Sequence, residues 1–153
     1  MKIIKTLAEA KETIGIAEKP TNWLKIEQSQ IDLFADVTHD HQFIHVDPDK
    51  AKYTPFKSTI AHGFLSLSLI SHFAKEFGFS FLNAVMAFNY GLDKVRFISP
   101  VKTGSQIRAV ATIIDITEKS PNQYLAKYEI VIEIKDEVKP ALIAQWLVLQ
   151  VTK

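Results

Sequence analysis

The sequence predicts an α+β domain in which one long apolar helix is wrapped by an antiparallel sheet with short helices in front of it, and three observations carry that prediction. Residues 61–77, from Ala61 to Phe77, are almost continuously apolar over a helical length and end at Gly78. Four later segments change to strand composition and period-two patterning, with turn-rich stretches between them. A helix that is hydrophobic nearly all round must be buried, and these strands are the only surface the chain offers to cover it.

The elements follow in order. Ile3, Leu7, Ala10 and Ile14 recur at helical spacing with charges between them, and Gly15 stands where a helix cap would, so a short amphipathic helix is expected there. After the turn Lys19-Pro20-Thr21-Asn22, the run Trp23–Ile26 reads as a short strand. Ser29-Gln30-Ile31-Asp32 then opens a helix with Leu33, Phe34 and Val37 turned inward, ending near Thr38. Residues 39–46 have no period and read as a loop. Asp47 and Pro48 supply an N-cap and a proline at the first helical position for a short helix through Tyr53. The long helix has Lys75 in its last turn, where a cation suits the dipole. The strands are Ala84–Phe97, Gln106–Thr117, Tyr124–Lys135 and Ala141–Val151, expected as a four-strand meander. The third alternates clearly, with Tyr124, Ala126, Tyr128, Ile130, Ile132 and Ile134 on one face and Lys127, Glu129, Glu133 and Lys135 on the other.

Composition narrows the function. At 153 residues the chain is expected to be a single domain, 1–153. With 18 Lys+Arg against 17 Asp+Glu the formal charge is +1, without the excess that neutralising a run of phosphates demands, so neither nucleic acid nor an anionic membrane surface is an expected partner. No cysteine is present, which removes disulfides, thiolate catalysis and cysteine-held metals. No uncharged run reaches the roughly 20 apolar residues of a spanning helix, and no apolar leader follows the first basic residues, so the cytoplasm is the expected compartment. The five histidines, at 39, 41, 45, 62 and 72, all fall in the second quarter or just beyond it.

Asp40 and His45 lie in one loop, where a carboxylate and an imidazole can share one water and move its proton near neutral pH. The same spacing also serves ordinary turns and caps. Ala61-His62-Gly63 opens the long helix, whose first N–H groups are unpaired and can polarise a carbonyl oxygen, with Gly63 allowing close approach. His62 is otherwise an ordinary helix-start residue. Three His and two Asp within residues 39–47 form a rival metal-ligand set, but the spacing of His41 and His45 suits a metal only on a helix. No metal and no organic cofactor is therefore expected.

The run Phe34-Ala35-Asp36-Val37-Thr38-His39-Asp40-His41-Gln42-Phe43-Ile44-His45-Val46-Asp47, followed by Ile60-Ala61-His62-Gly63, resembles the signature of the MaoC-like dehydratase family. Asn89-Tyr90-Gly91-Leu92-Asp93-Lys94-Val95-Arg96-Phe97 adds likeness to its subgroup around nodulation protein N. The resemblance implies a hotdog fold, usually dimeric, and the hydration of trans-2-enoyl-CoA to (R)-3-hydroxyacyl-CoA or its reverse. It assigns catalysis to Asp40 and His45, thioester polarisation to Gly63, and a supporting hydroxyl to Ser71, with His62 beside them. The implied partners are an acyl-CoA or acyl carrier protein thioester and a second copy of the chain, for which Phe81 and Phe88 offer apolar contact; coenzyme A enters only as part of the substrate. Two positions depart from the family pattern: His39 stands where Gly is usual, and Gln42-Phe43 where Asn-Pro is usual. His39 keeps open a second reading, a non-catalytic acyl-thioester-binding module. A hotdog thioesterase needs a carboxylate on or near the central helix, and Ala61–Ala74 holds none.

Overall fold

A computed structural model describes residues 2–153. Its sheet of five strands runs in the order β2 (Leu24–Lys25), β5 (Gln106–Ser120), β6 (Gln123–Ile134), β7 (Leu142–Thr152) and β4 (Ala84–Phe97), antiparallel throughout. The period-two prediction holds in detail on β6, where Ala126, Tyr128, Ile130, Ile132 and Ile134 are buried and Glu129 is exposed. A tight turn at Pro121-Asn122 joins β5 to β6 and a longer loop, residues 135–141, joins β6 to β7, with Asn122 and Asp136 at positive φ. The expected four-strand meander is corrected to three strands. β4 is not beside β5 but on the far side of β7, so residues 98–105 cross from the edge strand β4 to β5, the second strand from the opposite edge. That crossover is pinned where Ala61 donates to the Val101 carbonyl at 2.7 Å and Thr103 to that of Thr59 at 3.0 Å.

The long helix is present but interrupted. It forms α5 (Gly63–Ser68) and α6 (Ile70–Phe73), separated at Leu69, whose φ of −68° and ψ of −10° stay in the right-handed region. Ser68 donates its hydroxyl to the Phe64 carbonyl at 2.7 Å, a back-bond that bends helices. Leu65, Ile70 and Phe73 pack on the sheet, while Phe64, Ser68, Ser71 and His72 face outward, so the helix is covered on one side rather than all round. One sheet can wrap only one side. The core beneath it joins Phe73, Phe77, Tyr128 and Trp146 to the isoleucines of β5 and β6.

The N-terminal region departs furthest from expectation. Ile3 lies not in a helix but in β1 (Lys2–Ile4), which pairs in parallel with β3 (Phe79–Phe81), and the first helix, α1, is only Leu7–Lys11. Thr6 caps it, and Gly15 closes the following turn at φ 79°. α2 (Gln28–Thr38) starts earlier than read, because Glu27 is its cap and the Gln30 side chain reaches back to the Glu27 N–H at 2.9 Å. Ile31 and Ala35 are its buried residues and Phe34 is half-buried; Leu33 and Val37, expected inward, are exposed, since the stripe that meets the core is set by Ile31. Residues 39–46 are not all loop: Phe43–Val46 make the single turn α3, followed by α4 (Pro48–Ala51) with Asp47 as its cap. Phe81 is buried against Tyr124 and belongs to the core, so it is not free for a partner. Among the described residues no helix is long and apolar enough to cross a membrane.

His39 ends α2 in the left-handed region, at φ 60° and ψ 20°. The usual glycine of the family pattern would bear this without strain, whereas a side chain crowds the following carbonyl. The ring is exposed, so its loss removes little packing. His39→Gly is expected to raise stability by about 0.5–1 kcal/mol and the melting temperature by roughly 1–4 °C, which thermal denaturation monitored by circular dichroism measures.

Candidate active site

His45 is held from two directions. α3 begins where the His45 N–H meets the Gln42 carbonyl at 2.9 Å, and the Ile60 N–H meets that of Ile44 at 3.0 Å, which fastens this turn to the strand-like segment entering α5. The ring is buried, and its Nδ1 lies 2.7 Å from the Ile60 carbonyl. A carbonyl only accepts, so Nδ1 carries the hydrogen and Nε2 keeps its lone pair. Gln28 braces the same turn from α2. Its amide donates to the His45 carbonyl at 2.8 Å and accepts from the hydroxyls of Thr59, at 2.6 Å, and Thr103, at 2.9 Å. This bracket was invisible in the sequence, because Gln28, Thr59 and Thr103 are far apart along the chain and of ordinary surface type.

Asp40 follows the left-handed cap of α2 and its carboxylate is exposed, with one oxygen 3.4 Å from the Gln42 N–H. Its backbone carbonyl accepts from His62 Nε2 at 2.9 Å. The side-chain ligand atoms of Asp40, His45 and His62 lie within 4.8 Å of one another. Two groups at that separation can share one water, since two ordinary hydrogen bonds of about 2.8 Å bent at an oxygen span that distance. Thus Asp40 and His45, expected together from the sequence, do converge.

The neighbouring cavity of about 280 Å³ is lined by His45, Ile60, Gly63, Ser66 and the crossover residues Phe97–Val101. Gly63 is the first residue of α5, and among the described residues its N–H meets no acceptor. A Cβ there would stand 3.0 Å from the Phe97 ring, so a side chain at this position would have to push that ring aside. Ser71 is not brought to this cavity. It is exposed further along the helix, 3.4 Å from the Asn89 amide, and lines a separate hollow of about 500 Å³ with Phe77, Tyr128 and Trp146. His39 and His41 are exposed and also stay outside, His41 being paired with Asp36 at 2.9 Å.

The three-residue cluster suits a proton-moving site better than a metal. The His45 and His62 rings are stacked, with centroids 3.8 Å apart and planes 25° apart. An imidazole binds an ion in its own plane, and an ion in the plane of one ring would lie well out of the plane of the other.

Burial holds the His45 pKa below its ordinary value of 6.5; the neighbouring His62 acts in the same direction, while the Ile60 carbonyl and the Asp40 carboxylate oppose it. The sign for stability follows. Between the folded and unfolded values the unfolded chain binds more protons at this site, so its contribution to stability is intact above 6.5 and is lost as pH falls below it. Denaturant unfolding between pH 7.5 and 5.5 is therefore expected to show a decline that is shallower in His45→Asn, which keeps a donor for Ile60 but cannot titrate.

A family model described as MaoC like domain matches residues 9–134. Nodulation protein N of Rhizobium leguminosarum bv. viciae is 44% identical over 143 residues, 93% of this chain and 89% of that protein. A 3-hydroxyacyl-thioester dehydratase Z of Mycobacterium tuberculosis is 35% identical over 148 residues, 97% of each. An unliganded R-hydratase from Pseudomonas aeruginosa superposes with a TM-score of 0.69 at 24% identity, covering 92% of this chain and 83% of that one, and the shared architecture is the hotdog fold.

Proposed function

The chain belongs to the MaoC-like dehydratase family, and from that membership we propose that it is a hydro-lyase of acyl thioesters, converting trans-2-enoyl-CoA to (R)-3-hydroxyacyl-CoA or the reverse. It works in the cytoplasm without metal or organic cofactor. The observation that carries the reading is the tethered His45 ring, its Nδ1 bound to the Ile60 carbonyl, with a ring nitrogen within 4.8 Å of an Asp40 carboxylate oxygen. Water between the two gives a proton to Nε2 as its oxygen adds to the β-carbon, with Asp40 aligning it. The charge that develops on the thioester oxygen meets the Gly63 N–H at the start of α5. The proton then passes to the α-carbon, which balances the addition of water across the double bond. Neutral His45 is the form this step needs, in line with the downward shift imposed by burial.

The module without chemistry rested on His39, whose ring is exposed at the α2 terminus and stands apart from the cluster of Asp40, His45 and His62. The test is loss of enoyl absorbance when crotonyl-CoA or a longer enoyl-CoA is mixed with the chain; no change across chain lengths would overturn the reading. The carrier, coenzyme A or acyl carrier protein, is separated by the same assay with each thioester.

The working form is a homodimer joined through β4. This strand is 14 residues long, paired on one side only, and Val85, Met86, Phe88, Tyr90 and Leu92 along it are exposed. A long apolar edge of this kind invites pairing. Light scattering is expected to give twice the 17.3 kDa chain mass, and a value at 17.3 kDa would contradict it.

A further inference from the structure

His62 is almost as deeply buried as any core residue, at 3% exposure, yet it is polar and its Nδ1 has no hydrogen-bond partner. A buried acceptor without a donor is destabilising, and a phenyl or aliphatic side chain would fill the same space without it. Two of the contacts its ring makes are to the reacting pair. One face lies 3.8 Å from His45, and Nε2 donates to the Asp40 carbonyl at 2.9 Å. The opposite approach is closed by Phe34 of α2, with ring centroids 5.0 Å apart.

We propose that His62 is a positioning residue for the pair: its stacked ring fixes the plane of the His45 imidazole, and its hydrogen bond fixes the backbone that carries the Asp40 carboxylate. One side chain at the start of α5 thereby ties the helix that offers the Gly63 N–H to both proton-handling groups, so that the three substrate-facing elements keep a common spacing. The inference rests on the hydro-lyase reading given above. The titratable groups that face His45 are His62 at the start of α5 and Asp40 from the preceding loop; α2 contributes the uncharged Phe34 behind His62. Because the second imidazole disfavours charge on His45, its removal also changes the pH at which His45 takes up a proton.

Two substitutions divide the roles. His62→Phe keeps an aromatic face against His45 but loses the donor to Asp40; His62→Gln keeps a donor at the Nε2 position but loses the ring. In His62→Phe, kcat for crotonyl-CoA hydration is expected to fall roughly ten- to hundredfold with KM little changed, as misplacement of a reacting group costs on this order. In His62→Gln, the acid limb of kcat/KM moves to higher pH, and the His45 titration followed by the nuclear magnetic resonance of its Cε1 proton moves with it. A residue that only filled space would lower activity equally at every pH. The proposal is overturned if His62→Phe keeps the wild-type kcat, or if the His45 titration in His62→Gln coincides with that of the wild type. Should the wild-type chain hydrate no enoyl-CoA, the functional reading fails, while the resonance titration in the same variants still decides the part played by His62.

Discussion

Replacing Asp40 by Asn, or His45 by Ala, is expected to lower kcat for enoyl-CoA hydration by about 10²–10⁴-fold, the range that a positioned acid–base group contributes. Asp40→Asn is the cleaner probe. The side chain is exposed and the amide keeps its shape, so the melting temperature should stay within about 1–2 °C of the wild type. His45→Ala also orphans the Ile60 carbonyl and leaves a space under the ring, a loss of about 1–3 kcal/mol. His45→Asn restores a donor at the Nδ1 position and separates the two effects: it should recover stability but not turnover. The measurement is the steady-state rate beside a melting curve for each variant. Full turnover in both Asp40→Asn and His45→Asn would remove the pair from the mechanism.

The largest effect on folding is expected from Phe73→Ala. Phe73 is fully buried on α6, among the largest such side chains in the chain, and it belongs to the core joining helix to sheet. Truncation removes the ring's transfer energy and leaves a cavity that neighbours on a five-stranded sheet cannot easily collapse into, for a cost of about 3–5 kcal/mol. The melting temperature should fall by roughly 6–20 °C. Guanidinium unfolding distinguishes this from a local effect: the midpoint should shift with little change in slope. A loss below about 1 kcal/mol would mean that the helix is not seated on the sheet through this ring.

The strands of the sheet were legible because a half-exposed sheet forces alternation on every residue; β4 begins and ends at the residues read from the sequence, and β5, β6 and β7 depart by no more than a few. The centre of the site was legible for a different reason. Asp40, His45, His62 and Gly63 occupy two short segments, which the Ile60 N–H to Ile44 carbonyl bond and the His45 Nδ1 contact with the Ile60 carbonyl hold together. Long-range choices were not legible. Ile3 pairs with Ser80 in a parallel ladder that no local pattern announces, and the periodicity of 3–14 imitates a helix. The place of β4 beside β7 is likewise set by a crossover rather than by its own sequence. The inward face of α2 was misjudged because Leu33 and Val37 form a second apolar stripe as regular as the buried one. Ser71 was assigned by likeness to a family pattern, and its exposed place beside Asn89, away from the cavity lined by His45, was not legible because it depends on where β4 lies against the helix.

The crossover that carries the chain from β4 to β5 also sets an order of events during synthesis. Among the described residues the one ladder partner of β4 is β7, the last of the strands to emerge from the ribosome, so β4 waits for it while β5 and β6 are made and can already close their hairpin. Until β7 inserts between β6 and β4, the apolar residues of β4 have no native neighbour and the helix has only part of its cover. Folding of this chain is therefore governed by contacts between distant residues, which slows it and prolongs the interval in which a nascent chain depends on chaperones.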